Sequence, residues 1–429
     1  MADAQISQQL QLCIEHHNAI VEAGLQRLPD DVRAGIETQR NWFSVHGITE
    51  NDVQLPPPVV SFLSGIDIVT DTSQLSFLPH LRGIASPSEM RNDQDDLYLG
   101  TYEECIILYK SHGIDGFGLV LNLIEFSCCY LSDFYDEPGI QRMWIPLPEA
   151  LSRYRRSIEL GKFSMVLDTI NGDELAPQGW QFQPWTDNDL NRTLKVWEDL
   201  VRAIATRMPQ KPGVESQQEL ADQATLDQYP SIPSFARQFL LKATKPPFDF
   251  IAPQLRVPDL DIVHQICAEV QKRRDESDEP DDFYAHTSFL LFPGPDEGVV
   301  FSDEEEKQEW QNKLLINEQP GLYLVSVPPF GDSASLLLPY SLGENDQILA
   351  ADGSTIARSG NANLYNHGHC PFLPDHPTQL CVILMQWWEK VENDEWQIGE
   401  YGIEENIDIW READSEEGAE AYKPDFVCI

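Results

Sequence analysis

The densest group of side chains able to do chemistry is Asn366-His367-Gly368-His369-Cys370, with Asp375-His376 just beyond it. On an extended backbone, His-x-His presents both imidazoles on one face, and His376 could supply a third ligand to a transition metal. Neither zinc-finger nor HExxH spacing is present, and Pro-rich loops gather such residues without metal. A hydrogen-bonded loop is therefore the preferred reading, with His367, His369 and His376 kept as metal candidates and no cofactor expected.

A second group closes the most continuously apolar stretch of the chain, 116–131 (GFGLVLNLIEFSCCYL). Functional side chains often project from strand ends in α/β sheets, so Cys128 or Cys129 could act as a nucleophile. The plainer reading is two buried thiols behaving as small apolar residues. Glu125 is harder to dismiss, because a carboxylate inside so apolar a run must be paired, protonated or part of a site, unless a helical period brings it to the surface. Glu125, Cys128 and Cys129 are the catalytic candidates.

Gly331-Asp332-Ser333-Ala334-Ser335 resembles a nucleophilic serine turn but lacks the G-x-S-x-G pattern, and such residues make ordinary turns more often. No phosphate-binding G-x-x-x-x-G-K-[ST] loop occurs, and Gly116-Phe117-Gly118 lacks the third glycine of a dinucleotide fingerprint. The strongest basic run is Arg153-Tyr154-Arg155-Arg156, with Lys272-Arg273-Arg274 a weaker one. Arg153 and Arg156 share a helix face and Tyr154 is near enough to stack, so Arg153, Tyr154, Arg155 and Arg156 are the substrate-binding candidates, suited to phosphates. The same face could instead dock acidic parts of this chain.

These residues need elements to hold them. Apolar residues three and four apart predict an amphipathic helix over 6–28, and Pro56-Pro57-Pro58 favours polyproline geometry. Acids before 97–110 suit a helix there. Pro146 and Pro148 introduce a helix over 149–161, and 162–170 reads as a strand. The best helix is 187–208, with acids at its front, arginines at its rear and Pro209 as its stop. Further helices are expected over 235–243 and 257–274, and short strands over 288–292, 322–327, 335–338 and 379–385. The fold class is α/β or α+β, a large mixed body with a helical N-terminal two-thirds and an acidic, sheet-rich C-terminal third. The domains expected are a mixed body over 1–209, a polar linker or insert over 210–233 and an acidic α+β region over 234–429, with 275–282 a solvated acidic loop.

The chain has 429 residues, with 71 Asp and Glu against 29 Lys and Arg, for a formal net charge of −42. The excess is uneven: 275–429 holds 33 acids and 6 bases, whereas 1–274 holds 38 and 23. Charge of this size bears on partners and solubility rather than fold. No apolar run is long enough to span a bilayer, and the N-terminus lacks the features of a secretory signal, so a cytoplasmic protein with reduced thiols is expected.

Two stretches, 144–162 (WIPLPEALSRYRRSIELGK) and 184–209 (PWTDNDLNRTLKVWEDLVRAIATRMP), resemble segments of filamentous-fungal proteins, and through them the fungal arginine-containing cyclodipeptide synthases. The resemblance covers roughly a tenth of the chain and carries over no active-site residue. It implies an enzyme of secondary metabolism that joins arginine from arginyl-tRNA to a second aminoacyl-tRNA residue and closes a diketopiperazine. Aminoacyl-tRNA would then be the partner. A net −42 repels a polyanion unless a basic face is segregated, so the competing expectation is a non-enzymatic acidic protein that binds a basic partner.

Overall fold

The computed structural model describes residues 2–70, 75–90, 104–112, 116–131, 144–165, 179–209, 218–276, 288–296, 298–299, 319–327, 330–356, 364–371 and 378–425. The chain divides into two units, one of Met1–Gln183, His369–Asp375 and Cys428–Ile429, the other of Pro184–Gly368 and His376–Val427. The protein mixes α and β structure without a barrel. All strand pairings but one are antiparallel among the described residues, which makes the class α+β. Among the same residues no helix is long and apolar enough to cross a membrane.

The first unit runs α1 (Ala2–Gln26), α2 (Asp30–Arg33), β1 (Thr38–Arg40), α3 (Trp42–His46), α4 (Pro57–Gly65), β2 (Asp67–Val69), β3 (Leu81–Ile84), α5 (Pro87–Met90), β4 (Cys105–Ser111), β5 (Gly118–Asn122), β6 (Ser127–Leu131), β7 (Ile145–Pro146), α6 (Leu147–Glu159), β8 (Phe163–Met165) and β9 (Trp180–Phe182). Its centre is an antiparallel sheet in the order β3-β4-β5-β6-β7. Burial of almost every residue of β4, β5 and β6 explains why 116–131 is apolar without alternation. Gly118 is required at φ 99, where a Cβ would overlap the Tyr109 carbonyl. Helix α1 lies against α4 and α6.

The second unit runs α7 (Asp187–Arg207), α8 (Gln223–Leu226), α9 (Ser234–Lys242), β10 (Phe250–Ala252), β11 (Leu255–Arg256), α10 (Leu260–Glu276), β12 (Ser288–Pro293), β13 (Gly321–Val327), β14 (Phe330–Leu337), α11 (Leu380–Glu392), β15 (Ile398–Gly399), β16 (Gly402–Ile403) and α12 (Ala419–Tyr422). A meander β12-β13-β14 and a small sheet β11-β10-β16-β15 share one apolar core with α7 and α11. Trp197 stacks on Phe292 at 5.5 Å between ring centroids, while Trp387, Trp396 and Trp410 pack edge-on or tilted. Trp387 donates its indole N–H to the Tyr365 hydroxyl at 2.9 Å, which satisfies the polar tip of a buried ring.

Several expectations are corrected. Within 97–110 the described part is strand β4, because Cys105-Ile-Ile-Leu-Tyr is buried on both faces, where β-branched and aromatic residues favour the sheet. The proline run opens α4, whose N-terminal positions need no backbone donor. Segment 379–385 is the start of α11, which buries Leu380, Ile383, Leu384, Trp387 and Val391 at helical spacing. The unit boundary falls after Gln183 rather than at 209. The described part of 210–233 is not a polar linker, since Leu220, Leu226 and Ile232 are buried in the core. Of the acidic segment 275–282, Asp275 and Glu276 end helix α10, and the remainder lies outside the described residues.

In the first unit His17 is wholly buried, stacked on Phe77 at 4.9 Å. Its Nε2–H donates to the Asp67 carbonyl at 2.9 Å, which leaves Nδ1 to accept from the Tyr109 hydroxyl at 2.8 Å. Burial lowers its pKa from 6.5 to about 4. The unfolded chain takes up this proton near pH 6.5 and the folded chain only near 4, so acidification from pH 7 to 4 removes about 3 kcal/mol of stability through this residue. Urea denaturation of wild type and His17→Phe should show the stability gap between them narrowing by that amount over the same range. A gap independent of pH contradicts the assignment.

Candidate active site: the Cys129 and His369 pair

Strand β6 pairs along one side with β5 through Val120 and Cys129, and on the other side with β7, which has only two residues. Beyond Cys128 that outer edge has no strand partner among the described residues. It is met by a chain segment from far away in sequence: Tyr130 N–H donates to the Pro371 carbonyl at 2.5 Å. Buried backbone donors are rarely left unmade, so this bond determines where 369–371 lies on the strand. It also brings His369 to β6, with Nε2 at 3.1 Å from the Cys129 Sγ.

Cys129 is completely buried, and His369 is half-buried. The direction of the proton between sulfur and ring depends on the tautomer, and Sγ also lies 3.7 Å from the Tyr130 carbonyl. A thiol within hydrogen-bond reach of an imidazole is the minimal arrangement for an activated nucleophile. Cys128 is different. Burial, then Cys129, Cys13 and Glu149, push its thiol well above the usual range, so it stays protonated and inert.

Around the same strand, His80 sits among aromatic rings, 5.2 Å from Tyr130, 5.5 Å from Tyr154 and nearly parallel to Phe182 at 5.7 Å. Tyr154 is wholly buried, and its hydroxyl is driven well above its ordinary pKa by burial and then by Cys128, Cys370 and neighbouring tyrosines. It belongs to the wall of the unit and offers no ring for base stacking.

The remaining sequence candidates separate from this pair. Glu125 is exposed in the β5–β6 turn, where Asn122 Oδ1 accepts from the Ile124 and Glu125 amides at 2.9 and 3.0 Å. The buried-acid reading is corrected: the apolar run folds back on itself at this turn, and the carboxylate stays in water. Arg153 pairs with Glu149 at 2.6 Å and Arg155 with Glu159 at 2.9 Å, both one helical turn apart. Of the three arginines, Arg156 alone has no carboxylate partner among the described residues, and it is exposed. The basic face is thus largely neutralised by its own helix.

His367 and His369 do not form the expected metal face. Gly368 at φ 70 breaks the extended backbone between them, and His367 belongs to the second unit and His369 to the first. Burial lowers the His367 pKa to about 4. His376 lies outside the described residues, and among the described ones no three His, Cys, Asp or Glu side chains are grouped to hold a metal. Gly331 to Ser335 is not a turn but the interior of β14, where Asp332 Oδ2 accepts from Gln379 Nε2 at 2.6 Å. Sequence reasoning named Cys129 and His369 separately, for different chemistries. Their meeting across 240 residues leaves no mark in local spacing.

Comparison of the chain with family models, curated proteins and solved structures finds no match.

The exposure of Glu125 is directly testable. Glu125→Gln should unfold within about 0.5 kcal/mol of wild type in urea, as surface substitutions do. A change above about 2 kcal/mol, the scale for disturbing a buried polar group, contradicts this placement.

Proposed function

We propose that this protein is an acyl-transferring enzyme that works through a thioester on Cys129, and that it forms an arginine-containing diketopiperazine from arginyl-tRNA and a second aminoacyl-tRNA. The observation that carries the reading is the 3.1 Å contact between Cys129 Sγ and His369 Nε2. The choice of substrates rests on the resemblance of 144–162 and 184–209 to the fungal synthases.

In this scheme His369 Nε2 takes the thiol proton as Cys129 attacks the ester carbonyl of arginyl-tRNA. The C–S bond forms, the ester C–O bond breaks, and the released ribose hydroxyl takes the proton from the imidazolium. The α-amine of the second aminoacyl-tRNA then attacks the thioester, making the peptide bond and returning a proton to the thiolate. Attack of the arginyl amine on the remaining ester closes the six-membered ring and frees the second tRNA. Because Cys129 is wholly buried, acylation requires an opening beside β6 that leaves the Cys129–His369 contact in place. The net charge of −42 weakens tRNA binding at long range. Arg156, the unpaired arginine of α6, is the phosphate contact available on that helix.

The purified protein incubated with arginyl-tRNA and a mixture of other aminoacyl-tRNAs should yield arginine-containing cyclic dipeptides by mass spectrometry. Cys129→Ala should abolish them, and His369→Ala should slow their formation about 10²- to 10⁴-fold, the usual worth of a general base. Absence of any such product from wild type, or full activity in Cys129→Ala, overturns the proposal. Salt-sensitive capture of a basic protein without product would move the protein to the acidic-adaptor class.

A further inference from the structure

The second unit holds a cavity of about 320 Å³ between β11, α10, β12 and β13, within the range of small-molecule sites. Its walls combine three kinds of group. Ile266 and Leu290 contribute apolar surface, Glu269 and Asp296 contribute carboxylates, and Arg256 contributes a guanidinium. Among the described residues Arg256 makes no ion pair, although the chain has far more acids than bases. The Phe250 ring centroid lies 6.0 Å from its guanidinium carbon. Asp296 likewise forms no ion pair among the described residues, so Arg256 and Asp296 are present in one cavity without neutralising each other. Ser288, at the start of β12, is only 4% exposed and lines the cavity.

An uncompensated guanidinium at a pocket favours a carboxylate, which it can grip with two parallel bonds. A simple anion is disfavoured here, because two carboxylates share the wall and the chain carries −42. A simple cation leaves Arg256 and Ser288 unused. A zwitterion answers both signs and has no net charge for the protein's field to repel.

The geometry points to this cavity as a site for a free α-amino acid with an aliphatic side chain. The carboxylate sits on Arg256 with the Ser288 hydroxyl donating to it, the ammonium faces Asp296 and Glu269, and the side chain lies on Ile266 and Leu290. The inference is independent of the chemistry proposed for Cys129, since every residue named belongs to the second unit.

Isothermal titration of the full-length protein with three probes tests it: L-leucine, 4-methylpentanoate, which lacks the ammonium, and 3-methylbutylamine, which lacks the carboxylate. Leucine should bind saturably, and each truncated probe at least tenfold more weakly. Arg256→Gln should weaken leucine at least tenfold while leaving the amine unchanged, and Ser288→Ala should weaken it less. Cys129→Ala should bind leucine as wild type does, whatever becomes of its activity. No saturable leucine binding, equal binding of leucine and the amine, or an Arg256→Gln variant that binds leucine like wild type overturns the assignment.

Discussion

The backbone bond from Tyr130 to Pro371, with the thiol of Cys129 beside the imidazole of His369, is the constraint on which the candidate site depends. Among the described residues the two-residue β7 leaves part of the outer edge of β6 without a strand, inside a sheet whose central strands are buried. An open edge in such a place must be paired or covered. The chain meets that need with residues that follow 185 positions of the second unit, Pro184–Gly368. The same placement that satisfies the sheet delivers the imidazole, so structure and candidate chemistry stand or fall together. Bringing such distant residues together carries a closure cost that grows only slowly with loop length, but it makes the contact late to form.

The acidity that dominates the composition plays little part in holding either unit. The cores are apolar and aromatic, and many ion pairs among the described residues lie on single helices one turn apart, such as Arg153 with Glu149 and Lys195 with Asp199. Such exposed pairs contribute roughly 0.3–0.5 kcal/mol each. What the charge does govern is encounter. With Arg153 and Arg155 paired on their own helix, Arg156 is left there without a carboxylate partner among the described residues, and Arg256 makes no ion pair among them in the second unit.

Helices with complete local signals were legible in the sequence. In α7 the Thr186 and Asp189 side chains cap each other's amides, and the apolar stripe of Leu190, Trp197 and Ile204 continues to the stop at Pro209. Elements set by tertiary burial were not. Strand β4 lay under an apparent helix pattern because acids before it imitate a helix start, and α11 was mistaken for a strand because its first residues, Leu-Cys-Val-Ile-Leu, are all buried. The apolar character of 116–131 is plain in the sequence, but its turn at Asn122 is not, and with it the exposure of Glu125. Cys129 and His369 were both visible as reactive types. Only the fold could show that they are partners, since nothing in the local pattern around either residue refers to the other.

The central claim is that Cys129 and His369 interact in the folded chain, and a double-mutant cycle on unfolding measures this most directly. Wild type, Cys129→Ala, His369→Ala and the double variant are compared by urea denaturation. The account predicts a coupling energy of about 1 kcal/mol, as expected for residues sharing a buried hydrogen bond. Additive effects, with coupling below roughly 0.3 kcal/mol, would show that the two side chains do not meet and would contradict it.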